Sequence, residues 1–164
     1  MKEQILEAWD RQAAIMNDLA ALVTEENRGA RPAAGSWPLD EQLAHVHEVR
    51  NWWLGKIAPD IQAGLGQALQ EEGGEWRPIA DLGEIRRQLE ISGAAVRQAA
   101  ERGLGAAGKF GPYDNAIIFL NHMIWHEGYH AGLIITALRE AGAEPSEEWQ
   151  ESHIWERFRG PEEW

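Results

Sequence analysis

The chain has 164 residues, 44% of them hydrophobic, which is enough for a single domain over 1–164 with a sizeable core. Its 27 acidic against 15 basic side chains give a formal net charge of −12, which argues against nucleic acid and anionic membrane surfaces as partners. The absence of cysteine removes disulfides, zinc–thiolate sites and a cysteine nucleophile.

The charged N-terminal stretch lacks the apolar core of a signal peptide, and no apolar run reaches the roughly 18 residues of a membrane span. A reducing cytoplasm is the expected location. Nine Trp stand against three Phe and two Tyr, and Trp suits pocket walls as well as cores.

The spacing of Ile5, Leu6, Trp9, Ala13, Met16, Leu19 and Val23 predicts an amphipathic helix over 2–27. Pro38 suits a first helical turn, and Leu39, Leu43, Val46, Trp53 and Ile57 form the stripe of a second helix over 38–58. This helix holds His45 and His47, which lie about 200° apart and cannot face one site together. Each falls to one side of the stripe, and periodicity alone slightly favours His47. From Pro59 to Ile79 four glycines interrupt the pattern, which reads as a short helix within 61–70 and a loop covering a cleft.

Asp81 and Glu84 resemble a capping box that opens a third helix over 80–103. A Gly-rich loop follows, and a fourth helix is expected over 112–141, stopped at Ala141-Gly142. Ser146 can cap a short C-terminal helix over 146–157, and the aromatic tail Trp149 to Trp164 should dock across the bundle or on a second subunit. The fold class is therefore all-α: a four-helix bundle with a short extra C-terminal helix and no β-sheet.

Within the fourth helix, His122, His126 and His130 recur every four residues on one face, shared with Asn115, Phe119 and Leu133. A His-x-x-x-His pair can converge on one ion, whereas a lone inward His is more often a hydrogen-bonded core residue. One His from the second helix would complete three nitrogen donors with a position left open, the pattern of a catalytic zinc site.

Two stretches add a resemblance. Trp37-Pro38-Leu39-Asp40-Glu41-Gln42-Leu43-Ala44-His45 and Trp125-His126-Glu127-Gly128-Tyr129-His130-Ala131-Gly132-Leu133-Ile134, with Ala137 to Gly142 behind them, resemble the DinB/YfiT-like superfamily. The resemblance implies a bundle of that type and a metal held by His45, eight residues after Trp37, together with His126 and His130. It implies zinc, with nickel, iron or manganese as other divalent candidates. His122 would be a supporting or core residue, and His47 a solvated or interface residue.

The characterised relatives imply a thiol S-transferase that uses a low-molecular-weight thiol, such as bacillithiol or mycothiol, and an electrophilic substrate. The lack of cysteine agrees, since the sulfur would come from the cosubstrate. A hydrolase in which the ion activates water is the alternative within the same site, with Glu48 and Glu127 as the nearest bases, although an acid beside a helical His is usually a solvated charge. A non-catalytic bundle that binds a metal or small ligand is the reading from a different class. The number of aromatics, together with the family's habit, leads to an expected homodimer.

Overall fold

The computed structural model describes residues 1–160. In chain order it has α1 (Lys2–Ala21), α2 (Leu39–Ile57), α3 (Pro59–Gln62), β1 (Leu69–Glu72), β2 (Glu75–Pro78), α4 (Leu82–Leu104) and α5 (Ala116–Glu140). A C-terminal segment follows, made of α6 (Glu147–Gln150), a π-helical turn (Glu151–Trp155) and α7 (Glu156–Arg159).

The four long helices enclose two apolar clusters. Met16, Leu19, Leu43, Val46, Ile85, Leu89, Ile134 and Leu138 belong to one, and Leu6, Trp9, Leu54, Val96, Phe119 and Met123 to the other. Following each helix from cluster to cluster gives the directions: α1 and α5 run one way, α2 and α4 the other. α2 packs on α4 and α5, and α1 packs on the same two from the opposite side. Because α2 and α4 are parallel neighbours, the chain between them must cross the length of the bundle.

That crossover is where the sequence reading needs correction. The expected loop contains α3, shorter and earlier than anticipated, and a two-stranded antiparallel hairpin pairing Leu69 with Pro78 and Glu72 with Glu75. Gly73 and Gly74 have φ of 62° and 87°, the left-handed values that a two-residue hairpin turn requires. The two glycines therefore build a turn where periodicity saw only interruption. Glu48 of α2 ties the hairpin down: its Oε1 accepts from the backbone N–H of Ala68 at 2.7 Å and of Leu69 at 3.3 Å.

Helix ends differ from the periodic estimate where side chains compete for the backbone. α1 stops at Ala21 rather than near 27, although Val23 is still fully buried. Asn27 accepts from Thr24 N at 2.7 Å and donates to Leu22 O at 3.0 Å, so a side chain replaces the helical bonds. α5 begins at Ala116, not at Pro112, because Asn115 Oδ1 caps Ile117 N and Ile118 N at 3.0 Å each. Only half of the capping box on α4 forms: Asp81 accepts from Glu84 N, while the Glu84 carboxylate turns to Arg87 and Gln88.

The C-terminal segment docks on α1, with Ile154 buried and Arg157 paired to Asp18. Trp164 lies outside the described residues.

Between the two clusters a charged pair spans the bundle. Arg50, one turn from both Val46 and Leu54, donates from Nε to Glu127 Oε1 at 2.7 Å and from Nη2 to Oε2 at 2.8 Å. Its Nη1 donates to Leu89 O at 2.6 Å, and the guanidinium lies 5.2 Å from the Trp9 ring centroid. Arg50 and Glu127 are 1% and 0% exposed, so each charge depends on the other for compensation.

Removing one partner, as in Arg50→Ala or Glu127→Ala, should cost about 3–5 kcal/mol in urea denaturation. Replacing both, Arg50→Met with Glu127→Leu, should recover most of that loss. A single-variant loss below about 1 kcal/mol would mean that the pair is not what spans the bundle.

Candidate metal centre

α2 and α5 lie side by side, and their facing edges bring three imidazoles together. Donor nitrogens of His45, His126 and His130 all lie within 4.8 Å of one another. The closest approach is His45 Nε2 to His126 Nε2, at 3.2 Å. Two ligands on a tetrahedral ion with bonds of about 2.0–2.1 Å stand about 3.3–3.4 Å apart, so this separation fits two donors to one ion.

The third imidazole is oriented from α2. Gln42, one turn before His45, holds its Oε1 at 2.5 Å from His130 Nδ1. An amide oxygen can only accept, so His130 carries its proton on Nδ1 and its Nε2 lone pair is free. Trp37, just before α2, packs its ring 4.7 Å from that of His45. On the other flank, Tyr129 meets His130 edge-on at 5.2 Å.

The electrostatics favour neutral rings. Burial, reinforced by neighbouring histidines, pushes the pKa of His126 down to about 4 and that of His130 down to about 3. Burial lowers His45 as well. All three are therefore unprotonated at neutral pH, the state in which imidazole can donate to a metal. The donor count, the spacing and the protonation state all fit a divalent ion.

The other sequence candidates have different tasks. His47 is fully buried, not solvated as expected: Nδ1 lies 3.0 Å from Gln88 O and Nε2 3.0 Å from Gly66 O. It joins α2 to α4 and to the crossover, on the edge of α2 away from α5. Burial lowers its pKa too, so in the neutral ring one nitrogen donates. His122 stands apart from the three; its Nδ1 is 2.8 Å from Tyr113 Oη, a hydroxyl whose pKa burial pushes up to about 12.

Neither acid is a free base. Glu127 is committed to Arg50, which corrects the expectation of a solvated charge, and Glu48 to the hairpin backbone. Gln42 was not singled out in the sequence, since a Gln one turn before a His carries no pattern of its own.

A model of the DinB family matches residues 1–153. The chain belongs to the DinB family. Neither the search of curated proteins nor that of solved structures gave a match. The DinB-family match spans all four long helices and therefore includes every residue of the centre. None of the helices among the described residues is long and apolar enough to cross a membrane.

Protein purified without a tag should take up a divalent ion such as zinc or nickel. His126→Ala or His130→Ala should remove most of that affinity, and Gln42→Leu should weaken it by about 10- to 100-fold by freeing the His130 ring. His47→Ala should keep the metal and lose stability instead. Full uptake by both the His126 and the His130 variants, measured by metal analysis, would eliminate this centre.

Proposed function

We propose that this DinB-family protein is a divalent-metal-dependent enzyme, a thiol S-transferase whose metal is held by His45, His126 and His130. The observation that carries the reading is the convergence of three neutral imidazoles from two helices, a group that no further His, Asp or Glu joins among the described residues. When bound, such an ion lowers the pKa of a thiol and so raises the thiolate fraction at neutral pH.

The chain does the rest by position. Gln42 fixes the tautomer of His130, Trp37 and Tyr129 wall the histidines, and the Arg50–Glu127 pair holds α2 against α5. With no cysteine in the sequence, the sulfur comes from a cosubstrate in a reducing, cytoplasmic setting. The thiol gives up its proton to solvent, a carbon–sulfur bond forms, and the bond from that carbon to its leaving group breaks.

Metal-loaded protein should accelerate conjugation of bacillithiol or mycothiol to a fluorogenic alkyl halide. The rate should fall to background after chelation and in His126→Ala. If the loaded protein hydrolyses activated esters and leaves thiols unconjugated, the same centre serves hydrolysis and the transferase reading fails.

We further propose that two copies associate through the outer face of α5. Ile118, Trp125 and Tyr129 recur there at helical spacing with Gly128 and Gly132, and Trp125 is 73% exposed. The two rings stack at 6.4 Å, an apolar stripe with a flat, small-residue floor. Sedimentation at micromolar concentration should give a dimer for the native chain and a monomer for Trp125→Glu. A native species of only 18.4 kDa would exclude the association.

A further inference from the structure

A cavity lies along α2, past the turn that carries His45. Its volume is about 320 Å³, and its lining includes Glu48, Val49, Trp52 and Trp53 of α2 with Leu69 and Trp76 of the hairpin. That is the size of a small-molecule site. Three of the nine Trp gather here, and two of them, Trp52 and Trp76, are 58% and 59% exposed. Trp52 and Trp53 meet edge-to-face, with centroids 4.5 Å apart and planes at 79°, so they form a corner rather than a flat stack.

Glu48 is the charged member of this lining. Its oxygens accept from the N–H of Ala68 and Leu69 and from Asn51 Nδ2 at 3.3 Å, which fixes the carboxylate in place. Among the described residues, no Lys or Arg comes within ion-pair distance of it. The nearest basic group is the His47 ring, 3.9 Å away and held between two carbonyls. Lys56 Nζ lies 5.2 Å from the Trp52 ring centroid, but Lys56 lines the adjoining groove instead of this cavity.

We propose that this cavity binds a small organic cation carrying a quaternary ammonium group, with the Trp rings receiving the head and Glu48 supplying the counter-charge. A quaternary ammonium has no N–H to donate and is weakly hydrated, so aromatic faces suit it better than hydrogen-bond acceptors do. An anion would meet Glu48 with no cation to offset it. A neutral ligand would desolvate a carboxylate that has hydrogen-bond donors but no counter-charge. Val49 lies one helical turn, about 6 Å along the axis, beyond His45, and none of the three imidazoles lines the cavity. The site is distinct from the metal centre, and its occupancy does not depend on the proposed reaction.

The test titrates the full chain with choline and with its uncharged isostere, in which carbon replaces the quaternary nitrogen. Tryptophan fluorescence and calorimetry give the readout, with and without prior chelation. Choline should bind saturably and at least about ten-fold more tightly than the isostere. Trp76→Ala, on an exposed strand, and Glu48→Gln, which keeps an oxygen for the hairpin N–H groups, should each weaken choline about ten-fold while melting as the native chain does. Equal binding of the isostere would reduce the cavity to an apolar cleft and overturn the proposal. So would the absence of saturation by choline, native affinity in both variants, or loss of binding on chelation.

Discussion

Arg50 and Glu127 must meet in the interior, because neither charge reaches water and each costs several kcal/mol to bury alone. Meeting that requirement fixes more than one contact. The bidentate geometry sets the register of α2 against α5. The third guanidinium nitrogen reaches Leu89 O and so brings in α4, while Trp9 of α1 lies near the guanidinium and donates its indole N–H to Gly93 O at 2.9 Å. A Cβ at Gly93 would stand 3.3 Å from Arg50 Nη1 and 3.4 Å from Ala13 Cβ, so a larger residue there would press on the guanidinium. Two apolar clusters could slide past each other at little cost. A forked ion pair between them cannot, and it places His126 and His130 on either side of Glu127 along the same helix.

The ambiguity over α2 has a structural answer. His45 and His47 occupy opposite edges of its buried stripe, and each edge faces a different neighbour. His47 turns to α4 and is absorbed by the carbonyls of Gln88 and Gly66; His45 turns to α5 and meets the other two imidazoles. Periodicity measures distance from the stripe's centre and cannot know which helix packs on which side. It is the family resemblance that points to His45, the His eight residues after Trp37, and in the structure the rings of Trp37 and His45 lie 4.7 Å apart.

Much of the bundle was legible because four long helices with apolar stripes leave few alternatives, and glycine and proline mark their ends. What escaped was written in polar residues. The buried face of α2 includes Gln42, His47, Arg50 and Asn51, and a hydrophobic count treats all four as solvent-facing. The same blindness made Glu127 look like a surface charge. The hairpin was hidden for a different reason: its strands carry Gln, Glu and Arg on open faces, so no alternation announces them, and only Gly73-Gly74 signals the turn. The pair on α5 was legible because its geometry is local to one helix, whereas the Gln42–His130 contact joins residues 88 positions apart.

Charge balance connects the centre to the kind of ligand it suits. Three imidazoles kept neutral by burial contribute nitrogen donors and no negative charge. Glu127, the nearest acid in sequence, is neutralised by Arg50, and Glu48 faces the hairpin and the Trp-lined cavity. A divalent ion held here would therefore keep its full charge in a half-buried site, unlike one held by thiolates. An anionic donor arriving from outside the cysteine-free chain would balance that charge, and both the thiolate of the proposed transfer and the hydroxide of the alternative hydrolysis meet that need.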